Sequence, residues 1–224
     1  MASGAIGSTR ANRVSDLLSA LMTADGSARH RFVMEHGSST GSEVARGLAD
    51  TVHHLSVLYG RHPGVIDLVA ERDMHPEIAE WIAAAVDGFA RERAYLTRVV
   101  VAAGPIPSTP GQAESETATL GQRHAIEMLA RSDRNGCALG AALAMVLDWR
   151  ALRVPINAAA HRFGIEPPTL LVPTISETLD AAAAAATSVG VERAISFGAQ
   201  QILVQHRGLW DLLEARAIAR RENV

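Results

Sequence analysis

The side chain best placed for chemistry in this sequence is His206. It belongs to a run, Ile195, Ala199, Ile202, His206, Leu209 and Leu213, whose steps alternate between four and three residues. That spacing puts all six on one stripe of a helix, and an apolar stripe faces a core. An imidazole there needs partners for its ring nitrogens, because an unsatisfied buried polar group is costly. Gln201 and Gln205 lie nearby on the same helix and add amides that donate or accept. On another helix His124 and Glu127 stand three apart, close enough to interact. His124, Glu127, Gln201, Gln205 and His206 are therefore the candidate ligand-binding residues. The structural alternative is a His206 satisfied by a carbonyl or by a carboxylate on a neighbouring helix, with His124 and Glu127 sharing a local hydrogen bond.

Other reactive groups read more blandly. With Val44, Leu48, Leu55 and Leu58 as a core face, His53 falls nearly opposite and His54 near the boundary. Together with Asp50 they are expected to be a solvated or capping pair. Cys137 follows Asn135-Gly136 at a helix start, where a dipole favours thiolate, but an alanine-rich helix wants a small apolar side chain there. Trp149 and Trp210 are expected in the core. Asp148, Arg150 and Glu92 read as solvated or interhelical ion pairs, and Arg216, Arg220 and Arg221 as complements to a helix dipole. No catalytic residue and no metal site is assigned. Glu-x-x-His, the ligand pair of di-iron carboxylate bundles, occurs nowhere, and neither does His-x-x-x-His.

Composition narrows the chemistry further. All 21 basic residues are arginine, so a lysine Schiff base, a P-loop lysine and a biotin- or lipoate-bearing lysine are excluded. One cysteine excludes an internal disulfide and a multi-cysteine metal centre. No cofactor is predicted. A net charge of −3 argues against a nucleic-acid partner. The apolar run from Gly136 to Leu147 is too short to cross a membrane, and a cytoplasmic protein is expected.

The elements that must position these residues are helical. Forty of the 224 residues are alanine, the best helix former, and only nine are aromatic. Capping boxes occur at Thr40–Glu43, Thr109–Gln112 and Thr174–Glu177. Helices are expected over 12–23, 41–59, 63–71, 76–103, 110–131, 136–153, 156–163 and 175–217. Pro155 should end or kink the sixth, and the last should break near Ser188-Val189-Gly190. Gly136, Gly140 and Ala144 form a small-residue ridge that permits close approach by a neighbouring helix. The fold class is all-α, a single-domain bundle of seven to eight helices over residues 12–217. It is flanked by a flexible N-terminus (1–11) and a flexible basic tail (218–224).

Three segments are distinctive: Gly60 to Asp67, Pro107 to Gln112, and Gln205 to Leu213. Together they resemble an uncharacterised family of bacterial all-helical domains over most of the chain. The resemblance implies no activity or cofactor, and places His62, Gln205 and His206 in characteristic segments. The functional expectation is a binding or assembly module that self-associates. The alternative is an enzyme or sensor with a non-standard small-ligand or metal site in the bundle core around His124 and His206.

Overall fold

The computed structural model describes residues 2–35, 42–72 and 76–222, with side chains from residue 13 in the first stretch and residue 43 in the second. Nine α-helices occur among these residues, and no strand. They are α1 (Ala2–Asp25), α2 (Arg31–Glu35), α3 (Ser42–Tyr59), α4 (Val65–Ala70), α5 (Ala79–Ala103), α6 (Gln112–Ala130), α7 (Cys137–Arg162), α8 (Ile175–Ala185) and α9 (Val189–Glu222). Short 3-10 turns lie at Ser27–Arg29 and Pro76–Ile78.

The core is built on α7, which packs against α3, α4, α5, α6, α8 and, most extensively, α9. Small residues set that last contact. A Cβ added to Gly140 would lie 2.0 Å from the Ile195 carbonyl oxygen, and one on Gly198 would lie 2.0 Å from that of Cys137. The two backbones therefore touch where only glycine fits, as the small-residue ridge implied. Contacts advance from Gly136–Val191 to Gly140–Ile195, so the helices run in the same direction. The predicted stripe on α9 is buried throughout: Ile195, Ala199, Ile202, His206 and Leu209 are at 0% exposure. Cys137, Trp149 and Trp210 are buried too, in the packing roles expected for them.

Several boundaries differ from expectation. Helix α1 begins at Ala2 rather than residue 12, and α9 continues to Glu222, beyond the expected end of the bundle at 217. Helix α7 passes through Pro155 to Arg162, joining two expected helices. Leu152, Ile156, Ala159 and Ala160 are all fully buried around the proline, and their burial outweighs its cost of about 3 kcal/mol. The expected break is present between α8 and α9. The Thr174 capping box forms, with the Thr174 hydroxyl accepting from Glu177 N–H at 3.2 Å and Glu177 Oε2 accepting from Thr174 N–H at 2.6 Å. Thr40 lies outside the described residues. The Thr109 box does not form, and α6 starts after Gly111, whose φ of 73° is left-handed. The side chains of Thr109 and Gln112 are committed elsewhere.

Candidate functional site

Several polar assemblies interrupt the apolar interior. The first is centred on His206. Its Nδ1–H donates to Asp148 Oδ2 on α7 at 2.6 Å, and its Nε2 accepts from the Tyr59 hydroxyl on α3 at 2.6 Å. Asp148 also accepts from the Ser27 amide (2.8 Å) and the Ser27 hydroxyl (2.5 Å), and the Trp210 indole N–H donates to that hydroxyl at 2.8 Å. Burial, reinforced by the Asp148 charge, holds the Tyr59 phenol well above its ordinary range, so it remains a donor. This relay joins α3, α7, α9 and the Ser27 turn. It has Ser, Asp and His in contact, but the serine bonds the carboxylate and not the imidazole, so no base activates it.

The second assembly is an ion cluster. Asp50 on α3 accepts from Arg216 Nε (2.7 Å), Arg216 Nη2 (2.8 Å) and Arg220 Nη1 (2.7 Å), all three residues being buried. Gln112 Oε1 accepts from Arg216 at 2.8 Å and the Thr109 hydroxyl from Arg220 at 3.2 Å, which explains the missing capping box. Burial pushes the Asp50 carboxyl upward, but the two guanidiniums outweigh it and hold the group below its ordinary range. Arg216 and Arg220, expected as complements to a helix dipole, instead lock the end of α9 onto α3.

The third assembly borders open space. A cleft of about 300 Å³ lies between α3 and α6, with Ile106 of the connection between α5 and α6 in its lining. His53, His54 and Val57 of α3, Ile106 of the connection, and Glu116, Thr119 and Leu120 of α6 line it. His54 is 2% exposed, so the boundary position expected for it is corrected to a core one. Its Nδ1–H donates to the Asp50 carbonyl at 2.8 Å, one turn back on α3. His54 lines the cleft, and its other ring nitrogen, Nε2, has no hydrogen-bond partner among the described residues. Burial, helped by Arg216 and His53, pulls the His54 pKa below its ordinary value despite the opposing pull of Asp50. The ring is neutral near pH 7 and Nε2 is a bare acceptor. His53 Nε2–H donates to the Gly104 carbonyl at 2.8 Å, and the Thr119 hydroxyl donates to the Ser115 carbonyl at 2.8 Å.

A family model of unknown function matches residues 22–221. The chain belongs to DUF6975. No curated protein and no solved structure matches it. In this DUF6975 chain the three distinctive segments all meet buried polar structure. Gly60 to Asp67 supplies Asp67, which caps α4 at Gly64 N–H (2.7 Å) and binds Arg93 at 2.8 Å. Pro107 to Gln112 supplies the partners of Arg216 and Arg220, and Gln205 to Leu213 supplies His206 and Trp210.

The residues expected to form a ligand site do not gather. His124 and Glu127 are exposed on α6, and Glu127 faces Arg123 at 3.6 Å. His206 has 0% exposure and both nitrogens bonded, so His124 and His206 share no cavity. Gln201 and Gln205 are half-buried, and the Gln205 carbonyl accepts from Gln122 at 3.4 Å. Among the described residues no group of three or more His, Cys, Asp or Glu side chains could hold a metal ion, and no helix is long and apolar enough to cross a membrane. Glu92, expected as an ion-pair residue, is buried, accepting from the Trp149 indole at 2.9 Å with Arg153 at 3.3 Å. Burial raises its pKa against both partners. The sequence reads His54 only as one of a solvated or capping pair. The available signal was the four-residue step from Asp50 to His54, which puts the ring over the Asp50 carbonyl.

Proposed function

We propose that this DUF6975 chain is a cytoplasmic, non-enzymatic binding module whose ligand seat is the cleft between α3 and α6. The observation that carries the reading is the contrast between its two buried histidines. His206 spends both ring nitrogens on Asp148 and Tyr59 inside the core. His54 spends one, keeps the other unbonded, and lines a mostly apolar cavity. Apolar walls with a few placed polar atoms are the usual make-up of a small-molecule site, and about 300 Å³ stands at the small end of the range. Native mass spectrometry of the full chain with a mixture of small aromatic fragments tests this. One retained fragment per chain is expected, and Val57→Phe, which narrows the cleft, should abolish retention. Retention unchanged by Val57→Phe would contradict the location.

Self-association is a second reading, favoured by apolar side chains along the outer side of α6. Leu120 and Met128 are 47% and 58% exposed, with exposed His124 between them. Light scattering coupled to size exclusion should show a dimer that Met128→Glu dissociates; a clean monomer over a wide concentration range removes this reading.

A further inference from the structure

The cleft between α3 and α6 is one-sided in its hydrogen bonding. The His53 Nε2–H is given to the Gly104 carbonyl, the Thr119 hydroxyl hydrogen to the Ser115 carbonyl, and the His54 Nδ1–H to the Asp50 carbonyl. What these side chains still offer is acceptor capacity: His54 Nε2, the Thr119 oxygen, and at the rim the Glu116 carboxylate, which already takes one bond from Gln112 at 2.6 Å. A ligand that could only accept would face these lone pairs without a donor, and an unmatched buried polar group disfavours binding. Val57, Ile106 and Leu120 supply the apolar wall. Arg216, paired with Asp50, acts on His54 and disfavours a cation at the inner end of the cleft, while Glu116 places its carboxylate only at the exposed rim.

We infer that the cleft takes a small neutral molecule with an apolar body and one hydroxyl donor, of the phenol class, with the hydroxyl donating to His54 Nε2. The inference rests on the reading of the cleft as the binding seat and adds the chemistry of what sits there. The neutral state of the buried His54 ring keeps Nε2 available as an acceptor near pH 7.

The test compares 4-methylphenol, 4-methylanisole and 4-methylbenzylamine by titration calorimetry on the full chain, with the His54 Nε2 nitrogen resonance followed in parallel. The phenol should bind about tenfold more tightly than its methyl ether, in line with one buried hydrogen bond. It should shift the Nε2 resonance upfield, and the ether should not. In His54→Phe the two affinities should converge. If that variant does not fold, the resonance in the unaltered chain decides the matter. Equal binding of phenol and ether, abolished by Val57→Phe, overturns the donor assignment and leaves the cleft as the seat. Tighter binding of the ammonium than of the phenol overturns the neutral class. No binding of any probe at millimolar concentration overturns the seat itself.

Discussion

Replacing Gly198 by alanine tests the geometry on which every side-chain placement depends, the crossing of α7 and α9. The added methyl would sit 2.0 Å from the Cys137 carbonyl oxygen, 2.9 Å from its carbon and 3.0 Å from the Ala141 amide nitrogen. These are backbone atoms, which cannot swing aside as a side chain does. Restoring an ordinary contact needs a further separation of roughly 1.4 Å, and gaps of even about 0.5–1 Å forfeit a quarter to a half of each contact's attraction. Overpacking of a well-filled core costs about 1–3 kcal/mol and occasionally more, and a rigid backbone obstacle puts this site at about 3–5 kcal/mol. Against that, alanine in a helix interior is favoured over glycine by about 1 kcal/mol. The net expectation is a loss of about 2–4 kcal/mol, or about 5–15 °C in melting temperature for a chain of this size. Gly140→Ala should behave alike, since its methyl would lie 2.0 Å from the Ile195 oxygen. Gly121→Ala on α6, with nothing within 4 Å of the new methyl, should instead gain up to about 1 kcal/mol. Urea unfolding followed by circular dichroism measures all three. A Gly198→Ala protein as stable as the parent would refute the close crossing.

Further consequences follow from the buried polar groups. Asp50→Ala leaves two buried guanidiniums without their carboxylate and should cost about 3–5 kcal/mol in urea unfolding. The Asp50 carboxyl has a folded pKa below 3.8, so its contribution is complete above that value and is lost as pH falls through the folded pKa. Acid unfolding of Asp50→Asn should show a shallower dependence there. His206→Leu strands the Tyr59 hydroxyl and removes one donor from Asp148, for an expected loss of about 2–4 kcal/mol; a variant of equal or greater stability would mean that the relay is not structural. His54 has a folded pKa below 6.5, so the unfolded chain binds more protons just below that pH, and stability falls as pH drops from 6.5 toward the folded value. Proton NMR of the ring should show the titration below 6.5, and His54→Phe should flatten that part of the stability curve.

Features set by near neighbours in the sequence are legible from it. The four-and-three stripe from Ile195 to Leu213, the Thr174 capping box and the Gly136–Gly140 ridge each depend on neighbours within a few residues, and each is present. The candidate site was not legible in the same way. Asp50 meets Arg216 across 166 positions and Arg220 across 170, so three charges that look solvated in sequence become one buried cluster. That cluster recruits Thr109 and Gln112, which by local rules belonged to a helix start. His54 lay at the edge of the α3 stripe, and the packing of α6 turned that edge into interior. His206 was correctly placed in the core, but its role depended on Asp148 and Tyr59, which periodicity on α9 cannot reveal.

The proposed ligand seat is the cleft at His54 and not the relay at His206. Backbone and methyl chemical-shift mapping during a titration with 4-methylphenol tests it most directly. Saturable shifts are expected to cluster at His53, His54, Val57, Ile106, Thr119 and Leu120, with His206, Asp148 and Ser27 unmoved. Shifts centred on Ser27, Asp148 and His206, with the cleft silent, would contradict it.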